Sequence, residues 1–254
     1  MDVISYKKIC VFKDGEKIEK DDSIIVERPI NLYINNYYFT TLMCLPQDLK
    51  ELSVGFIKTD GVIETFNEID NISVLDEGVY INLVDKNREI KRKESALTSG
   101  CGRGSVHISL MRSENLKKVE SDKKFLSGDI LSNVNKFNKE SSLFLETGGV
   151  HSAALCGNNI IVRMDDIGRH NAIDKVIGYG LEKGIEFYDK YIITSGRISS
   201  DMVIKASRIN LPLIVSHSAP TSLAVDLAKM CNITLIGFVR GNRLNVYTMF
   251  ERIV

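Results

Sequence analysis

The sequence lacks net charge of either sign: 33 basic residues stand against 33 acidic ones. That excludes a global basic field able to hold nucleic acid by neutralising phosphates, so any anion must be held at a local site. No apolar run approaches the roughly 20 residues needed to span a bilayer. The first residues, Met1 to Lys8, carry no apolar core of a signal peptide. Cysteine is sparse and scattered, at Cys10, Cys44, Cys101, Cys156 and Cys231. No two form a C-x-x-C pair, which argues against a zinc knuckle and against a secreted disulfide framework. A reduced cytoplasmic protein without a membrane segment is expected. Low-complexity tracts and internal repeats are absent as well, and so is tryptophan, which excludes nothing. What remains is ordinary: 44% hydrophobic and 26% charged residues over 254 positions. A chain of this length buries roughly 70–75% of its unfolded surface and needs no staple.

The chain reads in two unlike halves. The first suggests antiparallel strands with one helix. Asp14-Gly15 marks a hairpin between Ile9–Lys13 and Glu16–Ile18, and strand-like runs follow at Ser23–Glu27, Ile30–Ile34 and Tyr37–Cys44. A helix begins near Pro46, places Leu49, Leu52 and Phe56 on one face, and stops at Gly61. Another hairpin surrounds Asp76-Glu77-Gly78, and the polar stretch Asp85–Glu94 reads as solvated. The second half alternates strand and helix: strands at His151–Cys156, Ile160–Met164, Tyr191–Thr194, Leu213–Ser216 and Ile233–Val239, with helices between. That order predicts an α/β fold with a mostly parallel sheet covered by helices, preceded by a smaller α+β N-terminal domain. The charged run Glu114–Lys124 sets the expected boundary, giving domains 1–115 and 116–254. The cysteines other than Cys101 sit in apolar strand or helix contexts and read as small core residues.

Three constellations could carry chemistry. Cys101 lies among Gly100, Gly102 and Gly104, with Arg103 beside it. The glycines leave the thiol unscreened, and the arginine favours the thiolate. Such a thiolate suits carrying a group between two sites better than it suits a rigid triad; an incidental surface cysteine is the plainer alternative. Next, Thr194-Ser195-Gly196-Arg197 and Ser216-His217-Ser218 each follow a strand and open a helix. Exposed N–H groups and hydroxyls there make anion sites, although ordinary helix capping explains either turn singly. Arg240 and Arg243 follow the next strand. Last, His170 opens a helix within the polar run Asp165–Lys175 and is either a ligand contact or a structural side chain. A zinc deaminase would need H-x-E there and P-C-x-x-C one unit later. This chain has His170-Asn171-Ala172 and Ser195-Gly196-Arg197-Ile198-Ser199 instead.

Six motifs stand in one order: Ser99-Gly100-Cys101-Gly102, Glu146 to Ala153, Asp166 to Lys175, Thr194 to Arg197, Ser216 to Ser222, and Gly237 to Arg240. Together they resemble the formate dehydrogenase accessory sulfurtransferase family, FdhD, over nearly the whole chain. The resemblance implies a cytidine-deaminase-like α/β domain and a homodimer. It implies that a cysteine desulfurase supplies sulfur as a persulfide on Cys101. That sulfur then passes to a molybdenum (or tungsten) bis(molybdopterin guanine dinucleotide) cofactor destined for formate dehydrogenase. The cofactor is bound as substrate, and the protein ligates no metal itself. The segment Phe238-Val239-Arg240-Gly241-Asn242-Arg243 matches the family's cofactor-binding segment, and Ser195, Gly196, Arg197, His170 and Ser218 are its expected neighbours. One position departs from the pattern: many members carry a second loop cysteine where this chain has Gly104. A resolving thiol is therefore missing. That keeps open a non-enzymatic cofactor chaperone of formate dehydrogenase. A nucleotide hydrolase of the deaminase type is the third reading.

Overall fold

The computed structural model describes residues 2–88, 116–139 and 141–254. Cys101 with its glycine-rich surroundings, and the end of the polar stretch from 89 onward, lie outside the described residues.

Strands β1 (Ile4–Lys13) and β2 (Glu16–Ile25) pair antiparallel from Ile4↔Ile25 to Lys13↔Glu16. Asp14 and Gly15 both take positive φ, the backbone a two-residue hairpin requires. Of the run Ser23–Glu27, expected as a separate strand, Ser23–Ile25 form the end of β2, because no Gly or Pro breaks Glu16–Ile25. This ribbon forms a two-stranded sheet of its own. Cys10 lies exposed on it, which corrects the expectation of a core residue. Apolar alternation buries a side chain only where a second layer covers that face, and Cys10 has no such cover.

A four-stranded sheet follows, in the order β4-β3-β6-β5, from β3 (Arg28–Ile34), β4 (Tyr37–Cys44), β5 (Ile69–Leu75) and β6 (Gly78–Leu83). Ile30, Leu32 and Ile34 alternate onto one face and meet Leu49, Leu52 and Phe56 of helix α1 (Leu49–Asp60). Gly61 closes α1 in the left-handed conformation.

The remaining chain forms α2 (Ser127–Lys139), α3 (Ser142–Thr147), β7 (His151–Cys156), β8 (Ile160–Asp166), α4 (Arg169–Glu182), β9 (Tyr191–Thr194), α5 (Ser200–Arg208), β10 (Leu213–Ser216), α6 (Ser222–Met230), β11 (Thr234–Arg240) and β12 (Arg243–Val246). Its sheet order is β12-β11-β10-β9-β7-β8. Only β9, β10 and β11 are mutually parallel; β7, β8 and β12 join antiparallel. The sheet is therefore mixed, and the mostly parallel expectation is corrected. The β7–β8 and β11–β12 connections are tight hairpins, too short for the crossover that parallel neighbours need. Helix α3 was not anticipated. Ser141 caps it by accepting the Phe144 N–H at 3.0 Å.

Residues of α4, α5 and α6 pack on one face of the sheet, and those of α2 on the other. Helix α1 lies directly on α4. A Cβ at Gly55 would sit 1.8 Å from the Asp174 carbonyl oxygen, and one at Gly178 would sit 1.9 Å from that of Glu51. Two backbones this close leave room for hydrogen only. The same seam buries ionic groups: Lys205 Nζ donates to both Asp174 carboxylate oxygens at 2.5 Å, and Thr59 Oγ1 donates to Oδ1 at 2.9 Å.

Candidate functional site

Parallel strands β9, β10 and β11 end at one edge of the large sheet. Antiparallel β7 begins there, and β8 ends there, since His151 pairs with Asp166. Five chain segments thus converge where open α/β sheets bind ligands.

The turns at this edge are hydrogen-bonded to one another. The Ser216 hydroxyl donates to the Gly196 carbonyl at 2.8 Å and accepts the Ser218 N–H at 2.9 Å. The Ser218 carbonyl accepts the Phe238 N–H at 3.2 Å. Ser195, Gly196, Ser218 and Phe238 are therefore brought together. Phe238 has φ +52° and a 40% exposed side chain. An exposed aromatic held in the left-handed region marks backbone shaped for something other than stability. Gly237 permits the approach, because a Cβ there would lie 2.8 Å from the Ser218 carbonyl. Val239 points into the core at 2% exposure and anchors the segment. Arg240, Gly241, Asn242 and Arg243 form the exposed end of β11 and its hairpin, and Arg197 is exposed on the turn after β9.

His170 Nε2 shares a hydrogen bond with Ser199 Oγ at 3.2 Å and lies 3.8 Å from Asp201 Oδ2. The rest of its motif is divided in role. Asp166 and Lys175 form a fully buried pair at 2.9 Å. Asp166 also accepts the N–H of Gly168 at 3.0 Å and of Leu45 at 3.2 Å, and the Asn171 side-chain amide at 2.9 Å. That carboxylate fixes the loop leading to Arg169 and His170.

The sequence reading passed over Arg169 and His217. Arg169 lies across Gly196, whose Cβ would meet the arginine Cδ at 2.7 Å. Its Nε, like Nδ1 of His217, is closed to solvent and has no hydrogen-bond partner among the described residues. Each such buried nitrogen costs about 1–3 kcal/mol unless a water or a ligand meets it, and Arg163 Nε shares the condition. His151, at the start of β7, shares a hydrogen bond from Nδ1 with Ser195 Oγ at 3.1 Å. Burial, then the Arg169 and His217 charges, holds its imidazole below the ordinary histidine value. Burial and Arg240 do the same to His217. His151, His217, Arg169 and Arg240 thus lie within electrostatic reach of one another, pair by pair, along this edge. That charge pattern makes a candidate cradle for an anion.

Among the described residues no cluster of three or more His, Cys, Asp or Glu could hold a metal ion, and no helix is long and apolar enough to cross a membrane. Burial pushes the Cys44 and Cys156 thiols up to about 12, with Asp166 adding to the effect at Cys44.

A family model described as the FdhD/NarQ family matches residues 25–254. The chain belongs to the FdhD/NarQ family. The sulfur carrier protein FdhD of Listeria innocua is 38% identical over the whole of both chains. That of Bacillus subtilis is 37% identical over 99% of this chain and 98% of its own. A crystal structure from Desulfotalea psychrophila, described as a formate dehydrogenase accessory protein, superposes with a TM-score of 0.83 at 29% identity, covering both chains fully. The mixed α/β architecture is thus shared with a solved member.

Proposed function

We propose that this protein carries sulfur as a persulfide on Cys101 and delivers it to a molybdenum or tungsten guanine-dinucleotide cofactor held in the anion cradle, for use by formate dehydrogenase. The observation that carries this reading is the cradle itself, where Arg169 Nε and His217 Nδ1 are buried without partners among the described residues. A cofactor with two pyrophosphates is the kind of ligand that satisfies such donors. The relatives' name, sulfur carrier, supports the sulfur half of the reading.

In the proposed exchange, the Cys101 thiolate attacks the outer sulfur of a cysteine desulfurase persulfide. The desulfurase leaves as a thiolate, so no net oxidation occurs. Releasing the sulfur at the oxidation level of sulfide needs two electrons and regenerates the Cys101 thiolate. Gly104 removes the local thiol that could supply them. Two equivalents of an external thiol, which leave as their disulfide, or the reduced metal of the cargo supply them instead.

Changing Arg240 and Arg243 together to alanine tests the cradle. Guanine-nucleotide affinity measured by calorimetry is expected to drop by about 1.5–3 kcal/mol for each charged hydrogen bond lost, with the circular dichroism spectrum unchanged. Undiminished affinity removes this segment from the site.

Homodimerisation belongs to the same reading, and the β1–β2 ribbon is its proposed surface. A two-stranded ribbon is marginal without cover, yet Tyr6 is 68% and Phe12 is 76% exposed. On the face that carries Tyr6 and Phe12, the charge β1 supplies is Lys8, whereas β2 supplies the carboxylates Glu19 and Asp21 beside Lys17. Stacking two ribbons about a two-fold axis parallel to the strands lays each basic strand over an acidic one. Light scattering is expected to show a dimer that Phe12→Lys converts to monomer; a monomeric wild type, or a dimeric variant, overturns the assignment.

A further inference from the structure

We infer that the cradle takes up its pyrophosphate together with protons, with His151 and His217 as the binding residues that receive them. This rests on the anion reading above and extends it to two histidines and to the protonation state of the complex.

The geometry supplies the case. His151 at the start of β7 bonds Ser195 from the turn after β9 at 3.1 Å, and it lies within electrostatic reach of Arg169 from the start of α4 and of His217 from the turn after β10. His217 lies within reach of Arg240 from the end of β11. The carboxylates at this edge are engaged elsewhere: Asp165 with Arg163 at 3.2 Å, Asp166 with Lys175, and Asp201 beside His170. No carboxylate thus pairs with either imidazole among the described residues. The Nδ1 atom of His217 lacks a partner altogether among the described residues. A ring nitrogen in that position is best satisfied by carrying a proton and donating it to a phosphate oxygen.

The sign follows. Before an anion binds, burial and the Arg169 and Arg240 charges keep the two rings below their ordinary value, hence mostly neutral near pH 7. A pyrophosphate brings opposite charge close to each ring, which favours the protonated form. Binding then raises both values and draws protons from solution. By linkage, affinity falls as pH rises, by up to about tenfold per pH unit for each proton taken up. The arginines cannot produce this slope, because they stay charged throughout.

GDP-mannose is a suitable probe for the full-length protein, because its pyrophosphate is a diester with no proton to gain near neutrality. Calorimetry at pH 7 in buffers of different ionisation enthalpy reads proton uptake directly. Uptake is expected, along with an affinity roughly five- to tenfold weaker at about pH 7.5 than at about pH 6.5. His217→Asn is expected to lower the uptake and flatten the pH slope. With only four histidines in the chain, proton NMR gives a check independent of any variant: two imidazole titrations should move upward when the probe is added. Probe binding with no proton uptake and unmoved titrations overturns the inference and leaves the anion site standing. Failure of the probe to bind at any pH overturns both.

Discussion

Cys101→Ala is expected to abolish loading of sulfane sulfur by a cysteine desulfurase, a loss beyond about 100-fold, and with it the restoration of formate dehydrogenase activity in a deletion strain. Cys10→Ser is expected to change neither. The buried cysteines explain the contrast. The thiolate is the attacking form, and burial pushes Cys44 and Cys156 up to about 12, leaving almost no thiolate at neutral pH. Burial raises Cys231 as well. Cys10 is exposed, but it sits on the β1–β2 ribbon, a sheet separate from the one whose edge forms the cradle. Mass spectrometry of the protein after incubation with a desulfurase and cysteine reads the position of the extra sulfur. Sulfur on Cys10, with none on Cys101, would transfer the carrier role to the ribbon. Full formate dehydrogenase activity from the Cys101→Ala strain would favour a chaperone that holds the cofactor without moving sulfur.

Local chemistry made part of the architecture legible in advance. The strand bounds Tyr191–Thr194 and Leu213–Ser216 agree with the sequence reading residue for residue. Each is a short apolar run closed by serine or threonine, so length and punctuation agree. The direction of the outer strands was not legible. Alternation of strand and helix describes chain order, whereas β7 pairs with β9 across an intervening helix and strand. The α1–α4 seam was hidden for a related reason: Gly55 within a helix reads as a local weakness until Asp174 is known to press on it. At the site, serine-bearing turns and Arg240 announce themselves as a pattern. Arg169 and His217 do not, because their mark is an unpartnered buried nitrogen, which exists only once the segments around it are assembled. The polar motif Asp165–Lys175 shows both sides. Its density of charge was visible, yet only the structure separates Arg169 and His170, at the edge, from Asp166 and Lys175 beneath it.

That separation makes Lys175→Met the substitution with the largest expected effect on stability, a loss of about 3–5 kcal/mol. Both members of the pair are fully buried, with Lys175 Nζ 2.9 Å from Asp166 Oδ2 and donating to the Asp165 carbonyl at 2.9 Å. Methionine fills a similar volume, so packing changes little. What remains is a carboxylate out of water whose cationic partner among the described residues is gone. Its remaining partners are the N–H groups of Leu45 and Gly168 and the Asn171 amide. These bonds tie the end of β4 to the loop before α4, so the damage should not stay local. Asn171 also donates to the Met43 carbonyl at 2.9 Å, which doubles the tie. Adding Asp166→Asn to Lys175→Met removes the stranded charge and is expected to recover about half of the loss, since an amide oxygen still accepts an N–H. Urea denaturation of both single variants, the double variant and the wild type gives the comparison. A double variant as unstable as the sum of its parts would show that the pair is not the coupled unit the geometry describes. The same pair sets the loop that carries Arg169 and His170 to the cradle. Any destabilised but folded variant is therefore expected to bind GDP-mannose more weakly than wild type, although neither Asp166 nor Lys175 touches the ligand.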